Sequence, residues 1–409
     1  MKKETLLVVI PFIILIIQQA LLTYTDGKIY SLISYFDEIY VLLLWAVILV
    51  KNRGKMRIKN KDKTILMLTV VFVMIGLCSN IITGYQSIRW ALVDAFTCSK
   101  FVLCYLGIRM YLSRENVCID VVTKLYKFSR IYICCLFVLG IINIFVDIFP
   151  KPDYRYFMYS IRLFYFHPTY LAIAAISCVC VIIVKDSIFN TKTDKWFILM
   201  GLIVACMTLR TKAIAGALCI ILLYCYFIQL RFKNKLVLGC LSFLTALMIG
   251  YDQLTFYFGG YSKYDSGFIR ERLLIDSIAI ASKHIPFGTG FGTFASFVAQ
   301  KNWSPLYDLY HYVPGPFLSD SFWPIIVAQN GYMGLLIFLL ILWSYLKNIW
   351  GLQKKNLYLM WAGLSIILYE LISSFGESAF FNPAVCPLFI LLGIIMTLGT
   401  GAPKDIRNS

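Results

Sequence analysis

The sequence predicts an all-α polytopic membrane protein. Three observations lead there: a composition too apolar for water, apolar runs of membrane length along the chain, and basic residues gathered in alternate connections. Hydrophobic residues make up 60% and charged residues 14% of the 409, whereas soluble domains carry roughly a quarter charged residues. Runs long enough to cross a ~30 Å hydrocarbon layer are predicted at 5–24, 32–50, 64–83, 91–112, 131–149, 167–184, 196–210, 212–230, 236–250, 319–346, 357–373 and 384–400. The chain reads as a single transmembrane domain, 1–409, of about twelve helices. One long outer loop, 251–318, joins the ninth and tenth spans.

Charge supplies the orientation. The net charge is +17. Even-odd threading places segments 1–4, 51–63, 113–130, 185–195, 231–235, 347–356 and 401–409 on one side, and these hold 24 of the 38 Lys/Arg but seven of the 21 Asp/Glu. The remainder balances at 14 and 14. The positive-inside rule makes the basic side cytoplasmic, with both termini there. The excess is a topology signal, so nucleic acid is not an expected partner. The first run follows Met1-Lys2-Lys3 but lacks a small-residue cleavage pattern, so it is read as a transmembrane helix and not as a leader.

Twelve of the thirteen cysteines fall in predicted spans and Cys118 in a cytoplasmic loop, a distribution that suits apolar packing better than a disulfide framework. No paired CxxC or HExxH spacing suggests a metal site. There is no internal repeat of the kind common in transporters.

Two outer connections are long. Residues 150–166 are rich in aromatics and arginine. Within 251–318 a helix is predicted from Phe268 to His284. At 100° per residue, Arg270, Ser277 and His284 form one polar stripe and Arg272, Asp276 and Lys283 a second, with Leu274, Ile275 and Ile278 between them. Pro286 ends that helix. Gly288-Thr289-Gly290-Phe291-Gly292 follows a helix and not a strand, so its glycines suit a tight turn and close backbone approach better than a dinucleotide loop. Trp303 and Tyr307 are candidates for stacking on sugar faces.

Chemistry concentrates on the outer side. Arg210-Thr211-Lys212 sits at an outer turn, where a snorkelling anchor is the plain reading. Cations on that face run against the orientation rule, however, and a guanidinium fork matches phosphate oxygens. Asp320 lies at the outer mouth of the tenth span, either as a helix cap or as a base. Asp94, Lys100 and Glu370 are embedded and must face protein or water. Asp94 and Glu370 are expected to face one outer cavity, and Lys100 to be structural.

Three passages carry a family resemblance: Leu209-Arg210-Thr211-Lys212; Arg270 through Leu274 to Pro286-Phe287-Gly288-Thr289-Gly290; and Ser319-Asp320-Ser321 with Gln329-Asn330-Gly331-Tyr332-Met333-Gly334. With these, the chain resembles the bacterial O-antigen polymerase and ligase superfamily, and within it the Wzy-type polymerases. The resemblance implies a GT-C-like, metal-independent glycosyltransferase of the bacterial cytoplasmic (inner) membrane that needs no cofactor. Its substrates would be undecaprenyl-pyrophosphate-linked glycan donor and acceptor, used for lipopolysaccharide O-antigen or capsule, with a flippase and a chain-length regulator as membrane neighbours. Arg210 and Arg270, with Arg272 or Arg162, would hold the pyrophosphate, Lys212 and His284 would assist binding, and Asp320, then His311, would be the base. Ligases of this superfamily carry a His-Asn pair about where Asp320-Ser321 stands. That departure favours a polymerase, while His311 nearby keeps the ligase open. A lipid-linked-sugar flippase is the reading from another class.

Overall fold

The computed structural model describes residues 3–53, 58–112, 115–189, 194–229, 266–315 and 317–400. The helices are α1 (Lys3–Leu22), α2 (Gly27–Ser34), α3 (Phe36–Lys51), α4 (Asn60–Thr83), α5 (Ile88–Tyr111), α6 (Glu115–Phe145), α7 (Pro168–Phe189), α8 (Lys195–Met207), α9 (Thr211–Tyr224), α10 (Ser266–Lys283), α11 (Phe297–Lys301), α12 (Pro305–Leu309), α13 (Phe322–Trp350), α14 (Leu357–Ser373) and α15 (Cys386–Leu398). A minimal hairpin, β1 (Tyr154–Arg155) and β2 (Met158–Tyr159), pairs antiparallel between α6 and α7.

The polarity of the bundle is that of a membrane protein. On α4, Met67, Val70, Met74, Ile81 and Ile82 face outward, while Thr69, Ser79 and Asn80 are buried. Apolar groups meet the surroundings and polar groups find partners inside, as a lipid solvent requires. Among the described residues seven helices are long and apolar enough to span: α1, α4, α5, α6, α7, α9 with its π turn, and α13. The second predicted span is a pair, α2 and α3, bent by 51°. The seventh, eleventh and twelfth are the shorter helices α8, α14 and α15. The ninth, 236–250, and the first part of the long loop, 251–265, lie outside the described residues. Two expectations need correction. The segment 113–130 is not a loop: α6 begins at Glu115, and Cys118 is buried within it. The helix in the long loop runs from Ser266 to Lys283, and it buries Leu273, Ser277, Ile280 and Ala281 while Ile275 and Ile278 face outward.

The embedded cations Lys100 and Arg109 are paired, because a lone ion in this environment costs several kcal/mol. Lys100 of α5 lies between Asp37 and Glu38 at the start of α3. Near the chain termini, Arg109 donates to Asp62 from Nε and Nη2, at 3.1 and 2.9 Å, and Tyr105 reaches the other oxygen of Asp62 at 2.8 Å. Arg109 also meets Thr397, which ties α4, α5 and α15 together at one end of the bundle. Lys51–Glu4 and Lys59–Thr400 lie at that same terminal end.

At the opposite, distal end the glycine-rich turn after α10 is built into the bundle. Helix α13 breaks at Gly331 (φ 63, ψ −167), so its ladder cannot close there. The turn closes it. Thr289 N–H donates to Ala328 O at 2.9 Å, Gly290 N–H to Gln329 O at 2.7 Å, and Met333 N–H to Pro286 O at 3.1 Å. The carbonyls of the turn are met by side chains: Ser79 donates to Gly288, Thr83 to Thr289, Asn80 to Phe291 and Gln86 to Gly292. The buried polar groups of the turn are thereby satisfied across α4 and α13.

This contact leaves no room for a side chain. A Cβ at Gly290 would fall on the backbone of Asn80, whereas one at Gly84 (φ 65) would meet nothing within 4 Å. Both positions carry the positive φ that disfavours alanine, so the pair separates strain from collision. Gly290→Ala is expected to lower the melting temperature of detergent-purified protein far more than Gly84→Ala, with overpacking adding about 1–3 kcal/mol. Equal shifts for the two variants would show that the turn does not pack against α4 in this way.

Candidate functional site

Helix starts and turns position the site. The turn between α8 and α9, the connection after α14, the start of α10 and the segment before α13 meet through paired charges. Leu209, at φ 50, makes the α8–α9 turn tight and sets Arg210 at its apex.

Four basic groups gather there. Arg210 Nη2 donates to Asp153 at 2.5 Å and lies 3.0 Å from His167 Nε2. Lys212 pairs with Glu377, and Arg270 of α10 donates to Asp320 at 2.5 Å. These groups sense one another. The His167 imidazole is pushed down to about 3 by burial and by the charges of Arg210, Lys212, Arg155 and Arg270, so it stays neutral at physiological pH. Burial and neighbouring Arg155 also lower the Arg210 guanidinium. Helices α7, α9 and α13 all begin at this cluster, beside His167, Arg210 and Asp320. Neither α9 nor α13 has a side-chain cap, so their partial positive N-termini add to the field. Such an arrangement suits an anion with several oxygens.

The structure joins Arg210, Lys212, Arg270 and Asp320 in one cluster, and it adds Asp153, His167 and Glu377, which sequence reasoning did not assign to the site. No described contact brings the other candidates in. Arg272 donates to the carbonyls of Tyr310 and His311, lies 4.4 Å over the Tyr312 ring, and shares Asp276 with Tyr312. It braces α10 against the segment after α12. His311 is exposed at φ 55 and offers its carbonyl to that brace. His284 packs edge-on to Tyr85 at 5.7 Å. Arg162 donates to Phe166 O within its own loop, while its buried Nε has no hydrogen-bond partner among the described residues.

Three further readings change. Asp320 is not the cap of α13, since Ser321 holds that position and Asp320 is engaged by Arg270. Asp94 does not share a space with Glu370: it accepts the Gly292 N–H at 2.7 Å and steadies the glycine turn, whereas Glu370 lies within electrostatic reach of Glu377 and Lys212. Tyr307 cannot stack on a sugar, because it is fully buried and its hydroxyl accepts from Ala295 N–H. Trp303 packs on Tyr307 at 5.0 Å. Comparison with known proteins adds no relationship, as no family model and no curated protein matches the chain.

The depressed His167 makes a signed prediction. Its folded pKa lies below the ordinary histidine value of 6.5, so the unfolded chain takes up the proton first as pH falls. The stability contributed by the neutral imidazole is complete above pH 6.5 and declines as pH drops from there toward 3. Melting temperatures of wild type and His167→Gln between pH 7 and 4 should show a shallower acid decline in the variant. Parallel curves would place His167 away from the cationic cluster.

Proposed function

We propose that this chain is a polymerase of undecaprenyl-pyrophosphate-linked oligosaccharide repeat units, acting at the outer face of a bacterial cytoplasmic membrane. The observation that carries the reading is the cluster of Arg210, Lys212 and Arg270 at three helix N-termini and neighbouring turns. A diphosphate leaving group needs fixed cations where its charge develops. In this reading the chain crosses the membrane twelve times in a GT-C-like arrangement, with the distal end outward and both termini in the cytoplasm, as the basic segments require.

In the reaction, a hydroxyl oxygen at the non-reducing end of a new lipid-linked unit attacks the anomeric carbon of the growing glycan. The bond from that carbon to the phosphate oxygen breaks, and undecaprenyl pyrophosphate departs with the electron pair, held by Arg210 and Arg270. The hydroxyl proton passes to a carboxylate. Asp320 is the nearest candidate to these arginines from the sequence reading, and it can accept the proton once its pair with Arg270 opens. His311, turned outward in the described structure, is the weaker candidate.

A second reading has one observation in its favour. A span broken at Gly331 is the kind of element transporters use around a substrate, and a flippase would use the same cluster without forming a bond. Here, though, the broken ends are filled by the glycine turn. Arginine chemistry tests the main reading. An ammonium does not reproduce a two-pronged guanidinium contact, so Arg210→Lys and Arg270→Lys should abolish long-chain surface polysaccharide nearly as fully as the alanine variants, at normal protein abundance. Full-length chains in both alanine variants would reduce these arginines to structural anchors.

A further inference from the structure

Each cation in the cluster is matched by a carboxylate from a different segment. Asp153 comes from the loop before β1, Glu377 from the connection after α14, and Asp320 from the segment before α13. The pairs are not alike. Lys212 and Glu377 are both buried, at 14% and 10% side-chain exposure. In the other two the carboxylate lies on the more open side: Asp153 is 37% exposed against 12% for Arg210, and Asp320 is 42% exposed against 19% for Arg270. These aspartates can move into water while the cations remain in place.

The fit at Arg210 is also incomplete. Asp153 takes one nitrogen of the guanidinium, which it shares with His167, and the buried Nε has no hydrogen-bond partner among the described residues. A planar guanidinium is best satisfied by two oxygens presented side by side. A single aspartate oxygen on Nη2 leaves that potential half used, and a phosphate group can complete it.

We propose that Asp153 and Asp320 are displaceable internal counter-ions, holding the places of two phosphate groups until a diphosphate ester binds. The identity of the ligand rests on the polymerase reading; the displacement rests on the geometry of the pairs. In the empty site the aspartates neutralise the charge of Arg210 and Arg270, which are themselves largely shielded from water. When the diphosphate arrives, its oxygens replace both carboxylates. Asp320 then has its lone pairs free beside the bound donor, so a carboxylate able to take the acceptor proton becomes available only when there is a donor to react. Glu377, buried with Lys212, stays in place as the fixed member of the set. Asp153, released, frees the loop that leads into the β1–β2 hairpin, whose Tyr156 meets Thr211 beside Arg210.

The test is calorimetric titration of inorganic pyrophosphate into the purified full chain in detergent. Asp153→Asn and Asp320→Asn remove a competing anion while keeping size and shape. Each should bind pyrophosphate about two- to fivefold more tightly than wild type, the scale of a partly exposed ion pair. In an Arg210→Ala background the gain from Asp153→Asn should vanish, because the aspartate competes through that arginine, its other cation Arg155 lying farther off at 3.9 Å and 41% exposed. Folded variants that bind no more tightly than wild type, or a gain that survives Arg210→Ala, overturn the inference. So does an absence of pyrophosphate binding in wild type and both variants. An equal gain for orthophosphate overturns the assignment of two phosphate positions. If either variant fails to fold, the other decides. Tighter pyrophosphate binding by protein that forms no polymer from lipid-linked units rejects the polymerase reading and leaves the displaceable counter-ions standing.

Discussion

The distal half of the molecule depends on one exchange of backbone hydrogen bonds around Gly331. A helix broken inside a membrane protein exposes carbonyls and amides that water cannot reach, at several kcal/mol for each group left unsatisfied. Here the turn from Pro286 to Gly290 supplies the missing partners for Ala328, Gln329 and Met333. Only glycine allows the two backbones to come so close at positions 288, 290 and 331. The exchange fixes the end of α10 against the middle of α13. Arg270, on α10, and Asp320, just before α13, therefore meet although they are 50 residues apart in sequence.

The two ends of the bundle use charge differently. At the terminal end Arg109 and Asp62 are almost wholly buried, at 2% and 3% side-chain exposure, and their remaining side-chain hydrogen bonds go to Tyr105, Thr397 and Thr400. That network is closed and joins helices. The distal pairs of Arg210 and Arg270 have open carboxylates and sit at the starts of helices, where the peptide dipoles add positive potential. The combination of cations and open carboxylates separates this cluster from a structural brace.

Much of the bundle is legible in the sequence because burial in lipid demands long apolar runs, and α1, α4, α5, α7 and α13 follow theirs closely. The break in α13 is legible only in part: Gln329-Asn330-Gly331 interrupts the apolar run, but the conformation of Gly331 is set by a turn some 40 residues earlier. Arg210, Lys212, Arg270 and Asp320 stand out as charges on the outward side. Their partners do not, because Asp153, His167 and Glu377 lie in separate connections that only the packing of α7, α9 and α14 brings together. One trace is present: outside the seven basic segments the chain carries as many acids as bases, which implies that the cations there have counter-ions. Arg272 and Tyr307 mislead for a related reason. Both resemble binding residues in a loop, but a loop that folds over a site needs braces and a core of its own.

The central claim is that the distal cluster binds a lipid-linked diphosphate and directs transfer of its glycan. The most direct measurement is reconstitution of the purified chain in liposomes with radiolabelled undecaprenyl-pyrophosphate-linked repeat units, followed by separation of the products by length. The account predicts a ladder of lengthening lipid-linked glycans from wild type and none from protein in which Arg210 and Arg270 are replaced by lysine. Labelled units that move between leaflets without lengthening, or a ladder that persists in the double variant, would contradict it.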